Sequence, residues 1–245
     1  DDVEVHLEGG LAAAVLPDIP DDLPDAIRRT LSAWSFAPDR ITLPVLAAVF
    51  RAPLCEVASA VFSLFLVGST GVFKTEVATL AQRFFGTFTA QALPGNFSST
   101  ANALEKLAFL GKDLVLVRDE FTPKGSSSRQ VAEMHDKGER IFRAVGNVAA
   151  RGRLTDATAF RASFTPRCLV LATGEDLPLG QSLLARLVVL EVNAGDITPS
   201  KLSIAQDAAS SFPAVMAGYL RWLAPRIDEL KKSSRKHLNA LRDRA

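Results

Sequence analysis

The sequence predicts a three-layer α/β domain with a largely parallel sheet. Short, nearly all-apolar runs of strand length recur from Val61 onward, the pattern of strands covered on both faces. Segments with apolar residues at helical spacing separate those runs. The chemically distinctive residues fall just after them, at the carboxyl ends where such sheets bind ligands.

Taken in order, Pro17 to Pro24 is rich in acids and proline and reads as a linker-like entry. Asp25 to Trp34 follows as a helix with an acid near its N-terminus, where the dipole favours it. Thr42-Leu43-Pro44 reads as an N-cap with an early proline, opening a helix over Val45 to Arg51. Val61 to Val67 is the first strand, Lys74 to Phe85 a helix, and Ser99 to Leu110 another. Asp113 to Val117 is a second strand, ending in Arg118-Asp119-Glu120. Gln130 to Ala144 is a charged helix whose Glu133/Lys137, Asp136/Arg140 and Glu139/Arg143 spacings predict three self-paired ion pairs. Cys168 to Ala172 and Leu187 to Val192 supply two further strands, and Leu202 to Leu241 is mostly helical with a basic end. That basic tail reads as a solvated helix or a linker, or as a nucleic-acid contact. The division expected is a helical lead-in over 1–40, an α/β core over 41–198 and a C-terminal helical segment over 199–245.

Composition narrows the class. With 245 residues, 48% hydrophobic and 22% charged, the chain can bury a sizeable core. Lys+Arg 28 against Asp+Glu 27 excludes a uniformly basic nucleic-acid-coating protein, though not a local basic face. Cys55 and Cys168 sit in apolar stretches, which fits a reducing, cytoplasmic setting rather than a disulfide framework. His6, His135 and His237 lie far apart, so a zinc site is not expected. The runs Leu11 to Leu16 and Ala60 to Val67 fall well short of the roughly 20 residues a spanning helix needs. No secretory signal opens the chain, and a first residue Asp1 reads as a piece of a longer polypeptide.

Gly68-Ser69-Thr70-Gly71-Val72-Phe73-Lys74-Thr75 stands between the first strand and its helix. Glycines let backbone N–H groups curl round phosphates, and the helix N-terminus adds positive potential. Lys74 can reach β- and γ-phosphate oxygens, and Thr75 offers a hydroxyl to Mg²⁺. Phe73 occupies the place where the usual motif has glycine. The second strand then delivers Asp119, suited to the metal's shell, and Glu120, suited to orienting or deprotonating water. Together these features point to ATP and Mg²⁺. Thr173, at the tip of the third strand, is a candidate γ-phosphate sensor. Arg186, just before the last strand, is either a surface arginine or one that projects toward a neighbouring subunit's nucleotide.

The order NFSSTANALEKLAFLGKDLVLVRDEF, GNVAARGR and RCLVLATGED resembles the primase-associated ATPase domain of plasmids, phages and integrative elements. It is similar to domain of unknown function 927 and, remotely, to superfamily III helicases, over roughly residues 40 to 198. The Phe-Lys-Thr version of the loop looks like an actinobacterial branch. The resemblance implies a ring-forming ATPase, hexameric, that translocates on single-stranded DNA during replication, with a primase domain in the same or a partner chain. It also places a DNA-touching hairpin near Arg151, Arg153 and Arg161, which otherwise read as an exposed turn.

The expectation is therefore a P-loop NTPase of AAA+ or superfamily III type, with ATP hydrolysis coupled to DNA unwinding or translocation. Its catalytic set is Lys74, Asp119, Glu120, Thr173 and Arg186. The rivals are a DNA-stimulated loader or regulatory ATPase, a degenerate nucleotide-binding scaffold and a small-molecule kinase.

Overall fold

The structure, a computed structural model, describes residues 7–123, 127–149 and 164–243. Four parallel strands form its sheet: β1 (Ser63–Val67), β2 (Val115–Phe121), β3 (Leu169–Gly174) and β4 (Leu187–Glu191), in the order β2-β3-β1-β4. Leu64 lies beside Leu171 on one side and Val188 on the other, which places β1 in the middle of the sheet. The helices described are α1 (Leu23–Ala33), α2 (Asp39–Arg51), α3 (Lys74–Gln82), α4 (Ala101–Leu110) and α5 (Ser128–Gly146). After these come α6 (Gln181–Leu184), α7 (Pro199–Ala208), α8 (Phe212–Leu223) and α9 (Ile227–Arg242).

Alternation along each strand distributes side chains to two cores. Leu64, Leu66, Val115, Val117, Leu169 and Leu171 face one core, built with α1, α2, α3, α7 and α8. Phe65, Leu116, Val170 and Ala172 face the other, built with α4, α5 and α6. Helix, sheet and helix are the three layers. Trp34, just past α1, lies 5.8 Å from Phe84, which stacks on Phe212 of α8 at 4.5 Å. Residues from the end of α1 and from α8 thus pack against the turn that follows α3.

Gln82, the last residue of α3, is fully buried, and its Oε1 accepts the Val117 N–H at 2.9 Å. This bond ties the outer strand β2 to the helix beneath it.

Several local expectations change. The second helix opens at Asp39, not beyond Thr42: Ile41, Thr42 and Val45 are buried, and their packing holds the extra turns. Pro44 stands inside that helix, where its missing N–H leaves the Arg40 carbonyl without its helical bond. The first strand begins at Ser63 rather than Val61, which is exposed. The second strand does not end before its acids but runs through them to Phe121, with a register break between Arg118 and Phe121. On α5, Glu133–Lys137 (3.1 Å) and Glu139–Arg143 (2.6 Å) pair as expected. Arg140 instead reaches across to Glu105 of α4 at 2.6 Å, because that carboxylate is the more enclosed partner.

Candidate active site

The loop from Gly68 to Phe73 leaves β1 and delivers Lys74 as the first residue of α3. Gly68 has no room for a side chain, since a Cβ would strike the Val192 carbonyl. Phe73 has φ 65° and ψ 22°, the left-handed region, and caps the helix with its backbone. The loop therefore needs the conformation glycine adopts most easily, and a phenylalanine holds it at a strain of about 1 kcal/mol. Its residue surface is 38% exposed. Val72 turns into the core and offers the site only backbone.

Lys74 is buried, and its Nζ donates to the carbonyl oxygens of Gly68 (2.8 Å) and Ser69 (2.6 Å). Burial pulls the ammonium below the ordinary lysine value, while Glu175 and Asp119 oppose that shift. Thr75 Oγ1 donates to the two carboxylate oxygens of Asp119 at 3.0 and 3.3 Å. Thr173 donates its hydroxyl to Asp119 Oδ1 and accepts the Glu120 N–H at 3.3 Å, linking β3 to both acids.

Glu120 lies in the register break with φ 65°. The reversal turns its side chain out of the sheet's alternation, so it is exposed while Asp119 is buried. Asn96 holds it there: Asn96 Nδ2 donates to Glu120 Oε2 at 2.5 Å. Asn96 reaches this place because its segment runs parallel to β2 for one rung. In that rung the Asp119 N–H donates to Gly95 O (3.2 Å) and the Phe97 N–H to Asp119 O (3.1 Å).

A cleft of about 320 Å³ opens over these groups, lined by Thr70, Phe73, Lys74, Thr75, Asp119, Glu120, Thr173 and Glu175. Ser69, Thr70, Gly71, Val72 and Phe73 also border a neighbouring hollow of about 220 Å³ beside Asn193 and Ile197. The structure thus brings together the loop, both acids and Thr173. Arg186 lies elsewhere. Its backbone oxygen accepts from Ser63 N–H at the start of β1, and its guanidinium bonds Ser182 O and Asn147 Oδ1 (3.0 Å). The length of β1, roughly 13 Å, separates it from the loop of its own chain. Arg151, Arg153 and Arg161 lie outside the described residues.

Two residues at the site escaped the sequence reading. Asn96 is brought within reach of Glu120 by its parallel rung beside Asp119, which no local pattern announces. Glu175 accepts from Thr70 and faces Lys74, and its only signal was its place two residues past Thr173.

The donors suit Mg²⁺. A threonine hydroxyl and a carboxylate already within 3.0 Å are hard oxygen ligands, and such ions take few protein ligands beside phosphate and water. Among the described residues no group of three or more His, Cys, Asp or Glu forms a cation cage. Among the same residues no helix is long and apolar enough to cross a membrane.

No protein-family model matches the chain, and no curated protein matches it. Among solved structures, it superposes on "SCCmec type IV Cch - active helicase" with a TM-score of 0.56 and 17% identity. That match covers 93% of this chain and 42% of the other, so this chain spans less than half of that helicase. The JCV helicase (TM-score 0.46, 13% identity, 84% of this chain and 60% of that one) is a more distant match. So is the C-terminal region of NrS-1 (TM-score 0.44, 13% identity, 82% and 46%). The likeness to the first of these is one of fold: four parallel strands between two helical layers, with a phosphate-type loop after the central strand, make this chain a three-layer P-loop NTPase-like α/β domain.

Proposed function

We propose that the chain is a Mg²⁺-dependent ATP hydrolase that drives movement along single-stranded DNA, as the helicase part of a replication protein. One observation carries the reading. Lys74 and Thr75, at the start of α3, and Asp119 and Glu120, on β2, converge on one cleft beside the loop that follows β1.

In this reading, backbone N–H groups of Gly71 to Thr75 cradle the β- and γ-phosphates at the N-terminus of α3. Lys74 leaves the carbonyl oxygens of Gly68 and Ser69 for phosphate oxygens, a stronger, charge-assisted pairing. Thr75 and Asp119 would hold Mg²⁺, which supplies charge neutralisation at the phosphates. Glu120 orients the attacking water and takes its proton, with Asn96 fixing the carboxylate's direction. Thr173 keeps Asp119 and the Glu120 backbone in register. Arg186 belongs to a neighbouring subunit's site in a head-to-tail ring, a hexamer. Arg151, Arg153 and Arg161 contact DNA phosphates, and a primase domain lies in the same or a partner chain.

The test is the rate of ATP hydrolysis with and without single-stranded DNA. Stimulation by DNA that disappears in Lys74→Ala supports the reading. Hydrolysis indifferent to DNA assigns the domain to nucleotide chemistry without translocation, and absent ATP binding removes the reading altogether.

A further inference from the structure

Arg118 stands on β2 immediately before the two acids, and the reaction proposed above gives it no task. It is fully buried, Nη2 donates to Leu104 O at 2.9 Å, and neither Nε nor Nη1 has a partner among the described residues. A cation held in a core with so few acceptors is unfavourable, so its shape and reach must matter where it lies.

It lies against Gly95. A Cβ built there would collide with Nη1, Cζ and Cδ of Arg118, so the guanidinium supports the bare backbone of that residue. Gly95 begins the parallel rung beside Asp119, and the next residue, Asn96, is the one that holds Glu120. The other end of the contact is fixed in α4, through the carbonyl of Leu104.

We propose that Arg118 is a positioning residue: wedged between α4 and Gly95, it sets the height of the Gly95–Phe97 segment and so aims Asn96 at Glu120. The inference deepens the ATP-hydrolase reading and rests on it for its kinetic consequences. Methionine at 118 is long enough to fill space but cannot hold the Leu104 carbonyl. Lysine keeps a cationic donor group and much of the reach.

The experiment compares Arg118→Met, Arg118→Lys and Gly95→Ala with the unaltered chain, each also in a Glu120→Gln background. Arg118→Met should lower kcat about tenfold with KM for ATP within about twofold, because the ground-state phosphate grip is untouched. Arg118→Lys should recover part of the loss. Added to Glu120→Gln, Arg118→Met should cost nothing further, since it acts through the side chain already disabled. The nitrogen-15 signal of the Asn96 side-chain amide, identified by its loss in Asn96→Ala, should shift in Arg118→Met and not in Lys74→Ala.

A loss that multiplies undiminished through Glu120→Gln overturns the proposal, as does an unmoved Asn96 signal. If Arg118→Met fails to fold, Gly95→Ala, whose Cβ presses on Arg118 at the same contact, displaces the same segment and must show the same kcat loss and the same shift. If the unaltered chain hydrolyses no ATP, the functional reading falls, while the Asn96 signal still decides the role of Arg118.

Discussion

Replacing Phe73 separates backbone strain from side-chain packing at the phosphate loop. The residue is 38% exposed, so truncation loses at most about 120 Å² of buried surface, an upper bound of roughly 3 kcal/mol at 25 cal/mol/Å². Compactness of the unfolded chain reduces this to about 2 kcal/mol. Phe73→Ala and Phe73→Gly both lose that packing. Only glycine also relieves the left-handed backbone at φ 65°, a gain of about 1 kcal/mol that reverses glycine's usual disadvantage against alanine. Phe73→Gly should therefore be less stable than the unaltered chain and more stable than Phe73→Ala. In urea denaturation the two variants should differ by about 0.2 M in midpoint, with glycine the higher. Phe73→Gly should bind ATP as the unaltered chain does, because the loop's N–H groups keep their directions. An alanine variant as stable as the glycine variant, or more stable, refutes the argument, since position 73 would then have no need of a left-handed backbone.

Glu120→Gln should bind ATP normally and hydrolyse it far more slowly, as calorimetric titration beside a turnover assay will show; equal hydrolysis assigns the base elsewhere. Raising the pH toward the ordinary lysine value of 10.5 should weaken ATP binding progressively, because burial makes the unliganded Lys74 lose its proton early and phosphate needs it charged. Lys74→Arg, if it binds, should show a flat profile over the same range. Arg151→Ala combined with Arg153→Ala should lower the salt slope of single-stranded DNA binding by about 0.7 for each phosphate no longer neutralised, while basal hydrolysis persists; an unchanged slope returns these arginines to an exposed turn. Arg186→Ala should bind ATP without hydrolysing it, and mixing with Lys74→Ala should restore activity; mixed oligomers that remain inactive refute the trans assignment.

Strands β1 and β3 were legible because they are buried on both faces, so Phe65 and its neighbours Leu64 and Leu66 read as one apolar run. That Lys74, Thr75, Asp119 and Glu120 line one cleft was legible from their places just after two strands of a parallel sheet. What was not legible depends on contacts far apart in sequence. The αL bulge at Glu120 follows from how β2 meets β3 and the Asn96 rung, and Val115 to Phe121 contains no glycine to mark it. The opening of α2 was misplaced because proline usually marks a first turn, whereas burial of Ile41 and Thr42 outweighs one lost hydrogen bond. Arg140 left its i,i+4 partner for Glu105, a choice fixed by how α4 and α5 lie together.

The bond from Gln82 to Val117 has a mechanical consequence. It fastens the end of the helix that starts with Lys74 and Thr75 to the strand that carries Asp119 and Glu120, two residues before the first acid. Thr75 and Asp119 make a second fastening nearer the cleft. Helix and strand are thus tied at two points, and in the proposed reading a nucleotide's departure is not registered by sliding one against the other. If the chain is a motor, this frame is its stator, and displacement must be generated by loops that leave it and by contacts with neighbouring copies. Hydrogen exchange at the Val117 amide that is equally slow with and without nucleotide is the expected mark of that stator; faster exchange in either state would locate the moving part inside it.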